Sequence, residues 1–166
     1  MKPFKMKTLS SLLVAFGLCT MAHALPEDSA EPIKITSDTG GYDHQINEGF
    51  YDGNVVMVQG TLEIHADHAQ FKMVNDELEE VIAKGNLIKI KYLPEANKPW
   101  VFGEGERLEY YPKKNLLVLS QRAKLTQEDD VVEANRIEYD TVNKKVRALS
   151  NQKSDRVFFE IKPKGK

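Results

Sequence analysis

Four times along this 166-residue chain a polar residue is followed, four positions later, by an aromatic ring: Asp38 to Tyr42, Asp67 to Phe71, Glu106 to Tyr110 and Asn135 to Tyr139. The rings fall 29, 39 and 29 residues apart, each after one apolar stretch and before a polar turn and another. Self-similarity at a period near 30 is the mark of a repeat architecture. Stacked β units leave a long shared interior and two open ends. Such a body suits a carrier or a scaffold better than an enzyme.

Strand signals dominate between the rings. Apolar residues recur at period two, and β-branched or aromatic side chains fill most of those positions. Residues 62–66, 87–91 and 157–161 alternate as strands, while 55–58 and 116–119 are continuous apolar runs of the kind buried on both faces. The best helical candidate is 75–81, equally readable as a turn followed by a strand. Turn signals recur at Gly40-Gly41, Asp52-Gly53-Asn54, Asn75-Asp76, Gly85-Asn86, Lys113-Lys114-Asn115 and Asn143-Lys144. Gly53-Asn54 and Gly85-Asn86 read as hairpin turns. Pro94 and Pro99 forbid a central strand over 91–99 and make it a protruding loop just before Trp100, the single tryptophan.

The repeat carries a phase reversal. Alternate side chains of a strand share a face, yet Leu62, Ile64 and Ala66 stand on even positions and Ala69 and Phe71 on odd ones. The same flip separates Ile33 and Ile35 from Tyr42, and Val132 and Ala134 from Ile137 and Tyr139. A bulge or bend near Asp38, Asp67 and Asn135 restores the register, and Asp and Asn tolerate the backbone angles this requires. The strands are therefore expected to turn a corner at these residues and wrap round a common interior.

The chain begins with an export signal. Lys2, Lys5 and Lys7 precede a mostly apolar run over 9–21, and Ala22-His23-Ala24 supplies the small-x-small pattern of a signal-peptidase site. The run is shorter than the about 20 residues that span a bilayer. Residues 1–24 are thus expected to be removed after Ala24, leaving a domain over 25–161 and a basic tail over 162–166; a retained anchor is the alternative. Cys19, the only cysteine, lies within the leader after Leu18 rather than after the small residue a lipidation site prefers. The mature domain would have no thiol, which excludes disulfides, thiol catalysis and cysteine metal sites. Losing three lysines from 23 basic residues leaves 20 against 25 acidic ones, a balance that argues against a nucleic-acid partner.

Few residues suggest chemistry. His65-Ala66-Asp67-His68 has metal-ligand types, but on a strand His68 points away from His65 and Asp67, and His44 is the only other histidine of the mature chain. No metal site is expected. The carboxylates of Glu77, Glu79, Glu80, Glu104, Glu106, Glu128, Asp129 and Asp130 raise glycoside hydrolysis as an alternative. They fall in turns or on solvated strand faces. No serine sits in a Gly-x-Ser-x-Gly elbow, and no phosphate-binding loop precedes a helix. We expect no catalytic residues and no cofactor. The apolar interior fits an ordinary packed core as well as a lipid-binding groove. The end segments, 32–35 and 156–161, read as outermost strands whose open edges allow head-to-tail addition.

With these residues in place, the chain resembles the LptA-type, OstA-like family of periplasmic lipopolysaccharide-transport bridge proteins. The resemblance rests on Pro32-Ile33-Lys34-Ile35-Thr36-Ser37-Asp38, on Gly53-Asn54-Val55 through Gln59-Gly60-Thr61-Leu62 to Ala66-Asp67, and on Gly103-x-Gly105. It continues through Tyr110, Leu117-Val118-Leu119 and Asn135-Arg136-Ile137-Glu138-Tyr139. It departs from the family pattern in the 91–99 loop and at Glu128-Asp129-Asp130. The resemblance implies an all-β fold, an open antiparallel β-jellyroll built from repeated strand units, with a hydrophobic groove for the acyl chains of lipopolysaccharide (lipid A). It implies head-to-tail self-association, an inner-membrane-anchored LptC-like partner, and docking to the N-terminal domain of an LptD-like outer-membrane translocon. The expected lipid-facing set is Ile33, Ile35, Leu62, Ile64, Phe71, Ile88, Tyr110 and Tyr139. The expected docking set is Ile33, Lys34 and Ile35 at one end, with Arg147, Val157, Phe158 and Phe159 at the other. A secreted carbohydrate-active or carbohydrate-binding β-solenoid is the competing reading, with Glu104 and Glu106 as its acids.

Overall fold

Ten antiparallel strands form one open sheet in a computed structural model that describes residues 30–151 and 155–163. The strands are β1 (Lys34–Thr36), β2 (Thr39–Asp43), β3 (Glu48–Gln59), β4 (Leu62–Val74), β5 (Glu77–Tyr92), β6 (Val101–Tyr111), β7 (Leu116–Gln127), β8 (Asp130–Asp140), β9 (Lys145–Leu149) and β10 (Phe158–Glu160). A 3-10 turn at Pro112–Lys114 joins β6 to β7, and no α-helix occurs among the described residues. The order is β1-β3-β4-β5-β6-β7-β8-β10, with β2 also on β3 and β9 also on β8. Each edge therefore consists of two short strands laid end to end along one long neighbour. The leader over 1–24, including Cys19, and the last three residues of the basic tail lie outside the described residues.

A line of irregularities crosses the sheet at mid-strand. Register shifts occur between Asp52 and Val55, His65 and His68, Lys84 and Ile88, Glu104 and Arg107, and Ser120 and Ala123. The line begins at Asp38, between β1 and β2, and reaches Asn135, where β8 exchanges its partner β10 for β9. On each side the inward set changes parity: Leu62 and Ile64 are buried before Asp67, and Ala69 after it. The sheet thus folds into two leaves. Leaf one holds β1, β10 and the adjoining halves of the long strands; leaf two holds β2, β9 and the other halves.

The polar members of the four runs fasten this corner. Asn54 Nδ2 donates to Asp38 at 2.8 Å, and the Asn86 backbone N–H donates to Asp67 at 2.9 Å. Arg122 Nε donates to Glu106 at 2.5 Å, and Asn151 donates its side-chain amide to Asn135. Arg122 also reaches the Asn86 carbonyl at 2.8 Å, so β5, β6 and β7 are tied together there. Gly53 and Asn54, at φ +77° and +46°, and Gln121 and Arg122, at +63° and +57°, supply the left-handed backbone of the bulges.

Several expectations need correction. Gly53-Asn54 and Gly85-Asn86 are not hairpin turns but lie inside β3 and β5 at the corner, and Gly40-Gly41 lies inside β2. A bulge and a tight turn make the same demand on the backbone, so the residues alone do not separate them. The helical candidate over 75–81 is a turn at Asn75 and Asp76, both with positive φ, followed by β5. The run 55–58 is not buried on both faces: Val55 and Met57 are buried, whereas Val56 and Val58 are half-buried. The run 116–119 does bury a residue on each face. Val118, fully buried, has Glu109 and Glu138 as register partners, which hold Arg107 at 2.8 Å and Arg136 at 3.1 Å.

Candidate functional site: the apolar interior between the leaves

Cross-strand partners share a face, so the pairing register reads out the lining of each leaf. On leaf one a single row runs Ile35, Met57, Ile64, Ile90, Gly103, Leu125, Val132 and Phe159, one residue from each strand, without a polar interruption. It joins one sheet edge to the other. On leaf two the row is Tyr42, Gly49, Phe71, Val81, Tyr110, Leu117, Tyr139 and Val146. All four repeat rings therefore stand side by side in one row, separated by smaller residues. The repeat period is two strands and a corner.

Facing rows pack against each other and form one hydrophobic core. Two apolar clefts remain. One, a cavity of about 10 Å³, is lined by Ile90, Tyr92, Gly103, Leu119, Ile137 and Tyr139 among others. The second, also of about 10 Å³, lies toward the N-terminal edge beside Ile35, Met57, Ile64, Phe71 and Val81. At Gly103 the leaves pack tightly, because a Cβ there would stand 2.8 Å from Leu119 Cδ1. At the N-terminal edge Phe71 stacks on Tyr42 at 5.6 Å and 7° and on Tyr51 at 5.7 Å and 19°.

Polar contacts join the leaves at their rims. Tyr110 on leaf two donates its hydroxyl to Gln59 Oε1 on leaf one at 3.1 Å, and Gln59 donates in turn to the Glu31 carbonyl at 3.1 Å. Two strands further along, Tyr92 donates its hydroxyl to the Thr141 carbonyl at 3.2 Å, and its ring meets Tyr139 edge-on at 6.0 Å. Burial pushes the Tyr139 phenol well above its ordinary range, with Tyr92 and Asp140 adding to the shift. Glu95 in the 93–100 loop pairs with Lys144 in the β8–β9 hairpin, and this contact holds the Glu95 carboxyl below its usual range.

The eight residues expected to face lipid are thus brought together. Leu62, Ile64, Ile88, Tyr110 and Tyr139 are buried in the core, and Ile33, Ile35 and Phe71 pack against it half-buried. The docking residues divide between the two edges and the two faces. Lys34 is exposed and pairs with Val58 on the outer face, whereas Ile35 points inward. Phe158 pairs with exposed Glu133, whereas Phe159 pairs with buried Val132, continues the inner row, and is 49% exposed at its open end. Arg147 lies opposite Glu138 on the outer face, 3.7 Å from its carboxylate, and Val157 is half-buried just before β10. Met57, Ile90, Gly103, Leu125 and Val132 complete the inner row but were absent from the expected set. Their alternation was visible in the sequence, but the alignment into one row required the register.

The other candidates stay apart. His65 Nε2 is 2.6 Å from Glu63 Oε1 and His68 Nδ1 is 2.5 Å from Asp52 Oδ1, so each histidine has a separate carboxylate neighbour. No group of three or more potential metal ligands occurs among the described residues. Glu106 is held by Arg122 at the corner, and Glu104 lies in register with Lys89 and Lys124.

Known proteins share this arrangement. Residues 34–145 match the family described as LptA/(LptD N-terminal domain) LPS transport protein. The lipopolysaccharide export system protein LptH of Pseudomonas aeruginosa is 30% identical, over 97% of this chain and 99% of its own. LptA of Escherichia coli K12 is 32% identical, over 96% of this chain and 89% of its own. The crystal structure of P. aeruginosa LptH, described as the LptA-homologous periplasmic component of a conserved lipopolysaccharide transport device, superposes with a TM-score of 0.77. It has 26% sequence identity and covers 83% of this chain and 100% of that one. With the open jellyroll, the corner repeat and these matches in agreement, the chain belongs to the LptA/LptD N-terminal domain family of lipopolysaccharide transport proteins.

Proposed function

We propose that this protein carries lipopolysaccharide across the periplasm, holding lipid A acyl chains between the two leaves and bridging the inner and outer membranes. The observation that carries this reading is the unbroken apolar row from Ile35 to Phe159, which gives an acyl chain continuous apolar lining between the two sheet edges. Each methylene taken from water contributes about 0.8 kcal/mol, so several chains are held without any catalytic group. The lipid-facing residues are Ile33, Ile35, Leu62, Ile64, Phe71, Ile88, Tyr110 and Tyr139, joined by Met57, Ile90, Leu125 and Val132. The relatives are transport proteins, and a carrier of this kind performs no bond chemistry.

The edges give the bridge its direction. β1, with Lys34 and Ile35 and with Ile33 just before it, receives the LptC-like inner-membrane partner or the C-terminal edge of another copy. β10, with Val157, Phe158 and Phe159, and Arg147 on neighbouring β9, meets the next copy or the LptD-like N-terminal domain. The leader is cleaved after Ala24 on export. Photo-crosslinking amino acids at Ile35, Ile88 or Tyr110 should capture lipopolysaccharide in cells, whereas Lys114, on the exposed 3-10 turn, should not. Equal labelling at all four positions would falsify the groove.

A further inference from the structure

The loop over 93–100 spans the opening between the leaves. Both of its ends are fastened to leaf one. The Leu93 N–H donates to Thr61 Oγ1 at 3.2 Å, the Thr61 hydroxyl lies 3.2 Å from the Leu93 carbonyl, and Gln127 Nε2 donates to the Pro99 carbonyl at 3.2 Å. Pro94 and Pro99 fix φ at the two ends of the crossing. Between them the Lys98 N–H returns to the Glu95 carbonyl at 3.0 Å, closing a turn whose acidic side chain reaches leaf two. There Glu95 pairs with Lys144, while Tyr92, just before the loop, bonds the Thr141 carbonyl. Both contacts land in the connection between β8 and β9. The apolar cleft beside Gly103 is lined by Tyr92 and Tyr139, whose rings meet edge-on beside these contacts.

We infer that loop 93–100 is a strap that holds this end of the interior shut, and that lipopolysaccharide loads when the strap releases the β8–β9 hairpin. The inference rests on the carrier reading above. Its chemistry suits a reversible closure. The Glu95–Lys144 pair is exposed to solvent, where an ion pair is weak and screened by salt, and the Tyr92 bond to Thr141 is neutral. The anchors on leaf one and the Tyr92 bond all involve partly buried groups, so the exposed Glu95–Lys144 pair yields first, the Tyr92 bond parts as the hairpin moves away, and the loop stays with leaf one. The cleft then opens along Tyr92 and Tyr139, and a chain entering there meets Ile90 and Leu125 of the inner row.

The test uses the mature protein, whose sequence lacks cysteine once the leader is removed. Glu95→Cys with Lys144→Cys is bridged by a reducible bis-maleimide, and purified lipopolysaccharide is added with co-elution as the readout. Loading should fall at least tenfold when bridged and recover when the linker is cleaved. A control pair within leaf one, Lys124→Cys with Glu133→Cys, should load equally in both states. The unbridged Glu95→Ala/Lys144→Ala protein should load several-fold faster than wild type. A bridged strap that loads at the unbridged rate, or an alanine pair no faster than wild type, overturns the strap alone. A wild-type protein that retains no lipopolysaccharide overturns the carrier reading instead.

Discussion

The side-chain amide of Asn54 donates to the Asp38 carboxylate at 2.8 Å, joining the bulge of β3 to the gap between β1 and β2. The Asp38 N–H also donates to the Gly53 carbonyl at 2.9 Å, so the first corner is bonded in both directions. The same relation recurs between Glu106 and Arg122 and between Asn135 and Asn151, each pair also sixteen residues apart. Asp67 holds Asn86 through the backbone instead, nineteen residues on. One polar side chain per two strands therefore secures the fold line across the sheet. The interior exists because the leaves are held at an angle there.

Loss of the first clasp should loosen the N-terminal edge. Asp38→Ala removes one charge-assisted bond from a partly solvated site and should lower unfolding free energy by about 1 kcal/mol. Gly53→Ala should cost more, about 2 kcal/mol, because φ is +77° and a Cβ would stand 2.4 Å from Asp38 Oδ2. Urea unfolding should show a lower midpoint for both variants with an unchanged slope. A Gly53→Ala midpoint equal to wild type would show that the bulge relaxes freely.

Much of this corner was legible before the structure. The parity change between Ile64 and Ala69 requires a bend, and Asp67 sits between them as the one residue able to serve both backbone and neighbour. Gly53-Asn54 was misread because positive φ serves hairpins and bulges alike, and only pairing shows that β3 continues through it. Of the two readings of 75–81, the turn followed by a strand is the one found. Glu77, Glu79 and Glu80 favour helix, but Asn75 and Asp76 turn the chain, and Leu78 and Val81 then pack into the core as part of leaf two. The inner row was not legible, since its members come from eight strands and only a complete register aligns them. The rim contacts were hidden too: nothing local in Glu95 or Lys144, 49 residues apart, suggests that they meet.

Gly103 lines the cleft against Leu119 of the other leaf, so enlarging it should close the cleft without unmaking the sheet. Gly103→Val puts its Cβ 2.8 Å from Leu119 Cδ1 and directs its methyls into space shared with Ile90. Overpacking of this kind costs about 1–3 kcal/mol. The variant should remain folded by circular dichroism while its retained lipopolysaccharide drops several-fold. Full retention would place the acyl chains away from the cleft beside Gly103.

Tyrosine ionisation offers a view of the closed interior. Burial raises the phenol of Tyr139 well above its ordinary range, and burial with Glu80 and Glu109 lifts Tyr111 to about 12. A raised phenol contributes stability that is complete below its unfolded value near 10 and is lost as pH climbs toward the folded value. Absorbance titration should therefore show Tyr139 ionising only with unfolding, and Tyr139→Phe should remove that late step. If Tyr139 ionises near pH 10 in a protein that is still folded, the interior at this end admits water and the rim is open.

Two differently built edges would make any copy-to-copy contact directional. At the C-terminal edge Phe158, Phe159 and Ile161 are exposed, and only Phe159 continues the inner row. At the other edge Ile33, just before β1, and Ile35 within it pack toward the interior with Lys34 outward. Pairing β10 of one copy with β1 of the next would extend both the backbone ladder and the apolar row, a heterologous contact that does not close on itself. Phe159→Asp should therefore abolish concentration-dependent oligomers in analytical ultracentrifugation, because it charges the seam. Phe158→Asp, on the outer face, should weaken them less. Equal loss from both would mean that the copies meet through the outer face and that the two interiors are not joined.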